Sequence, residues 1–412
     1  MKRSQLIPRD KGSIAVSSWL QKTKRVVLFL ILFLIPTQLG LHFWPSSSLI
    51  YGVRVDYLSP TLYFLDLLII SYLSLNRFTG LPAQAGLRIY GAPYFIILLL
   101  SNLIFSINPL STLSWSLHLL LYISFFSSFS LIINQKLLTT SLFLASLFQL
   151  SLSVTQVWLG RSIQGPLYYL GERMVSVGQP GVALAMFMDQ VVLRAYGTFG
   201  HPNVLAGWLV ITFLIILRFS KNIVINYSYF LITILGALLT QSRSALLSLF
   251  GIIIPVYMLK SLRVRALYFA ILFSLAIGYW SLVVPERADL SLSERLSLQS
   301  VSLKAIANYP IFGTGAQASI ASYPQLNTTF RLLQPDHNSF TLFVSWFGLA
   351  GILSIIYLIR LYGYTAIRLY DYLPLFPLLL LDHYLLTSPQ GLLILLLYLK
   401  VVNYSHVQKH RE

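Results

Sequence analysis

Arg243, Arg295 and His337 are the residues of this 412-residue chain whose types and settings best suit chemistry. His337 stands in Pro335-Asp336-His337-Asn338-Ser339, just ahead of Phe340, Leu342, Phe343, Val344 and Trp346. That setting places an imidazole at membrane depth beside water. Histidine titrates near neutral pH, so this ring suits a general base that takes a proton from an acceptor hydroxyl. The plainer reading is an interfacial polar residue, with Asp336 capping the following helix. Arg243 lies in Thr240-Gln241-Ser242-Arg243-Ser244-Ala245 between two apolar runs, where a guanidinium costs a few kcal/mol unless it is paired or reaches water. Its planar fork of donors suits a phosphorylated ligand; snorkelling to the interface is the alternative. Arg295, in Ser293-Glu294-Arg295-Leu296, is open to neutralisation by Glu294 or Glu286 as a solvated pair.

A fourth stretch, Arg194-Ala195-Tyr196-Gly197-Thr198-Phe199-Gly200-His201-Pro202-Asn203, runs from a loop into an apolar segment. Gly197 and Gly200 permit close approach and Pro202 suits the first helical position. The N–H groups of that first turn are then expected to face an anion, or simply to shape the start of the helix. Among the acids, Asp56 is either a base or the partner of Arg54, Asp66 a packing or hydrogen-bonding group, and Asp382-His383 an outward-facing or packing pair. No D-x-D pair occurs, and His201 and His337 alone do not make a site, so no metal site is expected.

These groups need a scaffold, and composition names it. The chain is 56% hydrophobic, only 10% charged, and its mean hydropathy is +0.74. Soluble domains carry about a quarter charged residues and lack repeated apolar runs of about 20 residues. The runs are unbroken Leu/Ile/Phe stretches without strand alternation, so the expected fold is an all-α integral membrane protein. The net charge of +17 reflects orientation more than partners, and no nucleic acid is expected. With no cysteine, disulfides and thiol chemistry are excluded.

Apolar runs broken by Pro, Gly and charge predict about twelve transmembrane helices: 26–43, 58–75, 89–107, 112–133, 138–160, 202–219, 224–240, 244–259, 266–284, 337–359, 374–387 and 389–402. A basic tail (1–25) reads as a retained cytoplasmic anchor; helices one to nine fill 26–284. A long loop with a short amphipathic helix covers 285–336, the last three helices 337–402, and a cytoplasmic tail 403–412. With both termini cytoplasmic, roughly two-thirds of the Lys and Arg fall inside, as the positive-inside rule requires. The long segments 161–200 and 285–336, with the candidate site, then lie outside. Gly313-Thr314-Gly315 is expected as a flexible turn.

Taken in order, Gly197-Thr198-Phe199-Gly200-His201-Pro202-Asn203, Thr240-Gln241-Ser242-Arg243-Ser244, Glu294-Arg295-Leu296, Asn308-Tyr309-Pro310-Ile311-Phe312-Gly313-Thr314-Gly315, His337-Asn338 and Gly348-Leu349-Ala350-Gly351 resemble the O-antigen ligase and polymerase superfamily. The likeness covers about residues 190–360. It implies a metal-independent, cofactor-free glycosyltransferase of the GT-C type in the bacterial inner membrane, working in lipopolysaccharide and cell-envelope polysaccharide biosynthesis. Such enzymes move a glycan from undecaprenyl diphosphate to a hydroxyl on lipid A-core, a glycan or a protein. By motif, Arg243 and Arg295 would hold the diphosphate, and His337 would activate the acceptor. Arg194 would support the site, and His201, Asn203 and Asn338 would contact substrate. The rivals are a twelve-span transporter or flippase of lipid-linked oligosaccharide and an assembly protein without chemistry. Transporters usually show a repeat between halves and ionisable groups at the midplane, and neither is evident here.

Overall fold

The computed structural model describes residues 11–78, 92–187, 190–258, 261, 264, 287–326, 333–362 and 369–409. The expected span at 266–284 lies outside them, as do Glu286, Asp189 and Arg331. The chain is mainly helical. Among the described residues, five helices are long and apolar enough to cross a bilayer: Pro109–Ser128, Asn134–Leu159, Pro202–Phe219, Ile223–Thr240 and Ser339–Arg360. Shorter apolar helices cover Pro93–Ile104, Arg243–Pro255 and Pro389–Tyr404. The protein is therefore a multi-pass membrane protein.

In chain order the helices are α1 (Lys11–Leu34), α2 (Phe64–Phe78), α3 (Ala92–Ile104), α4 (Pro109–Ser128), α5 (Leu131–Leu159), α6 (Pro202–Phe219), α7 (Ile223–Thr240) and α8 (Arg243–Leu246), which runs on as a π-helix over Leu247–Met258. They continue with α9 (Arg287–Asn308), α10 (Ser339–Tyr362), α11 (Leu369–Tyr372), α12 (Phe376–Leu381), α13 (Tyr384–Thr387) and α14 (Pro389–Lys409). The bundle is organised around α6. Thirteen consecutive residues of it, from Leu205 to Leu217, are all apolar except Thr212 and Gly207, and burial runs all round the helix through Ile216. A helix apolar on every face belongs in an interior. It packs against α7, α14 and α8, while α7 turns Leu231, Leu235 and Leu238 outward, where lipid replaces protein as the apolar solvent.

Three differences from the expected layout have local causes. The first apolar run ends as a helix at Leu34, because Pro36 has no N–H to continue the ladder. The expected span 374–387 is broken into a 3₁₀ turn at Leu373–Leu375 and the short helices α12 and α13, since Pro374 and Pro377 remove ladder donors and Asp382 is extended. Such backbone is tolerated at membrane depth when protein surrounds it, and Leu378, Asp382, Tyr384 and Leu385 are buried. Finally, the mostly helical chain, consistent with the expected all-α membrane protein, also carries three small antiparallel sheets: β1 (Gly40–His42) with β4 (Thr61–Tyr63), β2 (Leu49–Ile50) with β3 (Val53–Arg54), and β5 (Leu184–Phe187) with β6 (Gln190–Leu193). Between β2 and β3, Tyr51 and Gly52 both have positive φ (51° and 77°), as a two-residue hairpin turn with the twist of its strands requires.

α9 ends at Asn308, and the segment after it is a fixed clasp, where a flexible turn was expected. α10 is broken at Gly348 (φ 58°, ψ −152°), a conformation open essentially to glycine alone. The loop 310–315 satisfies the interrupted ladder. Leu349 N donates to Pro310 O (2.8 Å), Ala350 N to Ile311 O (2.9 Å), Thr314 N to Ser345 O (2.8 Å) and Gly315 N to Trp346 O (3.1 Å). Asn102 of α3 completes it, donating from Nδ2 to Trp346 O (2.7 Å) and Phe312 O (3.2 Å) and accepting from Ala316 N (2.8 Å). No side chain fits at the crossing: a Cβ on Gly313 would lie 2.3 Å from Trp346 backbone, and one on Gly348 2.6 Å from Ile311 O.

Candidate active site

Asp382 is the centre about which the functional side chains gather. It is buried at the break between α12 and α13. Its Oδ1 accepts from the backbone N–H of His383 (2.9 Å) and its Oδ2 from Asn203 Nδ2 (2.9 Å). His337 Nδ1 lies 3.9 Å from Oδ1, within ion-pair range yet beyond a hydrogen bond. This nitrogen is buried and has no hydrogen-bond partner, while the His337 side chain as a whole is 21% exposed. One edge of the ring thus faces a carboxylate and the residue retains access to solvent.

Arg194 reaches the same centre from the loop after β6. Its Nε donates to Thr240 O (2.6 Å) and its Nη2 to Asn203 Oδ1 (2.8 Å) and Gln241 O (3.5 Å). The two carbonyls belong to the end of α7, where Gln241 takes a left-handed conformation (φ 47°, ψ 40°) before α8 begins. Arg243, in the first turn of α8, is exposed. Arg295 comes from α9 and donates from Nη1 to Leu381 O (2.9 Å), the residue before Asp382. Burial pulls the Arg194 guanidinium down to about pKa 10, with Arg243 and Arg295 adding to the shift and Tyr196 and Asp382 opposing it. Among the described residues, none of these three arginines is ion-paired with a carboxylate. The neutralisation of Arg295 by Glu294, open on sequence grounds, is not what forms.

The stretch from Gly197 to Asn203 is held from α5 by two glutamines seven residues apart on one helix face. Gln156 Oε1 accepts from Gly197 N (2.8 Å) and its Nε2 donates to Gly197 O (2.9 Å) and Glu172 (2.8 Å). Gln149 Oε1 accepts from Thr198 N (2.9 Å) and its Nε2 donates to Thr198 Oγ1 (2.9 Å). Gly197 needs its lack of a side chain twice over: φ is +57°, and a Cβ would lie 2.3 Å from Gln149 Oε1. Pro202 opens α6 as expected, but the first-turn N–H groups do not all face an anion. His201 Nδ1 accepts from Asn203 N (3.2 Å), and His201 O accepts from Val204 N (3.1 Å). Burial holds the His201 imidazole neutral, lowering its pKa to about 4 against the raising effect of Asp382.

Asn338 is occupied by backbone: its Oδ1 accepts from Phe340 N (2.9 Å) and Thr341 N (3.3 Å), which makes it the N-cap of α10. Asp336 supports that cap, accepting from Asn338 N (3.0 Å) and from the Thr341 hydroxyl. The remaining acids are structural. Asp56 pairs with Arg173 (3.2 Å), not Arg54, whose guanidinium lies over the Trp44 ring. Asp66 accepts from Tyr63 N, Tyr122 and His118.

The structure brings Arg194, Arg295, Asn203 and His337 to Asp382 or its neighbour, sets Arg243 beside the carbonyls that hold Arg194, and leaves Asn338 as a cap. Sequence reading undervalued Asp382. The available signal was an ionisable pair inside Leu378-Leu379-Leu380-Leu381-Asp382-His383-Tyr384-Leu385-Leu386, which at membrane depth marks a functional group by default. Gln149 and Gln156 carried no signal beyond being amides in an apolar helix.

Residues 228–356 match the family model for O-antigen ligase. This bears out the resemblance to the O-antigen ligase and polymerase superfamily over a segment that contains Arg243, Arg295 and His337; Arg194, Asn203 and Asp382 lie outside it. No curated protein matches the chain.

Proposed function

We propose that this protein is a membrane glycosyltransferase of the O-antigen ligase type, moving a glycan from undecaprenyl diphosphate to an acceptor hydroxyl at the extracytoplasmic face of the bacterial inner membrane. The observation that carries this reading is the approach of His337, Arg194 and Arg295 to one buried aspartate or its bonded neighbours, with Arg243 near enough to Arg194 to lower its pKa and none of the three arginines bound to a carboxylate among the described residues. An anion complements that arrangement better than a cation or neutral solute does.

The acceptor oxygen bonds to the anomeric carbon as the bond from that carbon to the diphosphate oxygen breaks, and the hydroxyl proton passes to His337. With Nδ1 turned to Asp382, Nε2 is the nitrogen available to take it. Asp382 then offsets the imidazolium charge, as a buried carboxylate does behind a catalytic histidine. The leaving diphosphate gains negative charge that Arg243 and Arg295 face, so they stabilise the transition state more than the ground state. Arg194, committed to Thr240 O and Asn203, positions α7 against α6 and adds to the positive potential. Attack opposite the leaving group inverts the anomeric centre, and no step requires a metal ion.

Transfer from a purified lipid-linked donor should be lost in His337→Ala and Arg243→Ala protein that inserts normally, and should survive EDTA. Near-normal transfer by both variants would end this mechanism. Loss in EDTA reversed by Mg²⁺ or Mn²⁺ would end its metal independence.

A further inference from the structure

His337, Asp382 and His383 place one donor atom each within 4.8 Å of one another. Adjacency in sequence accounts only for the last two; α10 brings the third. Their donor chemistry is consistent. His383 Nδ1 lies 2.8 Å from Thr387 Oγ1, and that hydroxyl spends its own hydrogen on His383 O (3.2 Å). In the tautomer in which Nδ1 donates to this hydroxyl, the lone pair of His383 is on Nε2. An imidazole whose second nitrogen is fixed by an outer hydrogen bond is the usual state of a metal-ligating histidine. His337 Nδ1 is buried without a hydrogen-bond partner and faces Asp382 Oδ1 at 3.9 Å. Asp382 is itself oriented by Asn203 and the His383 N–H. The His337 and His383 rings lie 5.2 Å apart at 45°.

Resting on the glycan-transfer reading, we propose that these three residues form an inhibitory site for a borderline transition-metal ion such as Zn²⁺. Two imidazoles and one carboxylate are a three-ligand set that leaves a fourth position for water. Tetrahedral donors stand about 3.3 Å apart, so the triad must contract by up to about 1.5 Å. Imidazole-rich sites prefer Cu²⁺, Ni²⁺ and Zn²⁺ to Mg²⁺. Arg194 and Arg295 stand nearby and oppose the cation, which keeps the site reversible. A bound ion would take up Asp382 and the Nδ1 of His337, leaving no carboxylate to offset an imidazolium. It would also place positive charge where the ring must accept a proton.

The test uses untagged full-length protein in detergent, with Co²⁺ absorption and Zn²⁺ equilibrium dialysis as the binding readouts, so it does not depend on transfer. One ion per chain is expected. His337→Ala and His383→Asn should each weaken binding by about tenfold or more, and Mg²⁺ should not compete. Zn²⁺ should also raise the wild-type unfolding temperature, and less so that of His337→Ala. No stoichiometric binding, or binding unchanged in both variants, would overturn the site. Where transfer is measured, Zn²⁺ should inhibit the wild type, and His383→Asn should need about tenfold more. Stoichiometric binding without inhibition would overturn the inhibitory role while leaving the transfer reading untouched.

Discussion

Around Asp382 the protein brings together side chains from α6, α9, the residues just ahead of α10 and the α12–α13 break, Asn203 and Arg295 held by hydrogen bonds and His337 at ion-pair range. Around Gly348 it brings together backbone, with loop 310–315 laid into the broken helix α10 and the donors and acceptors of the crossing matched in turn. Both regions contain motifs that resemble the same superfamily, and both depend on breaks in apolar helices. The first break leaves a buried ionisable group about which side chains gather, whereas the second is closed by hydrogen bonds and by the absence of side chains. A shared motif therefore does not imply a shared role: Gly313-Thr314-Gly315 and Gly348 build the frame on which His337 is carried, whereas the arginines are proposed to face the diphosphate.

The difference predicts that substitutions in the two regions separate activity from stability. The largest effect is expected around Asp382. His337→Ala and Arg243→Ala should lower transfer by about a hundredfold or more while the unfolding temperature in detergent stays within a few degrees. Asp382→Asn should follow them, because the amide cannot offset an imidazolium. If Asp382→Asn instead transfers normally, the aspartate only orders the break between α12 and α13.

The clasp should show the reverse. Gly348→Ala puts a methyl 2.6 Å from Ile311 O at φ 58° and should cost about 3 kcal/mol or more, read as a lowered unfolding temperature and poor yield. The folded fraction should retain its transfer rate per molecule. Asn102→Ala takes a partner from Phe312 O and Ala316 N and leaves Trp346 O with Gly315 N alone, and should cost about 1–3 kcal/mol with the same signature. A clasp variant that folds normally yet cannot transfer would show that loop 310–315 touches substrate.

A smaller effect is expected from His201. The ring is held neutral in the folded protein until about pH 4, whereas an unfolded histidine protonates near pH 6.5. Its contribution to stability is therefore complete above about pH 6.5 and is lost as the pH falls toward 4. Unfolding temperature followed from pH 7 to 4.5 should drop less in His201→Gln than in the wild type; parallel curves would exclude this linkage.

Much of the site was legible because the bilayer makes charge expensive. Arg194, Arg243, Arg295 and His337 stand out in a chain with 10% charged residues, so residue type alone was informative. Apolar length similarly foretold α6, α7 and α10 closely. The broken span at 374–387 was misread since apolar content hides prolines that interrupt the ladder. The β-hairpins were missed because two or three paired residues leave no periodicity to detect.

By itself the sequence determined a multi-pass helical protein with a few costly ionisable groups at helix ends, since lipid permits little else. Only the tertiary structure decided that Asp382 is the meeting point of those groups, that Asn203 bridges it to Arg194, and that Gly348 serves the frame. Hydropathy acts residue by residue along the chain and can be read in order. Convergence of side chains from residues 194, 203, 295, 337 and 382 depends on how helices cross, and that is settled by packing among segments far apart in the chain.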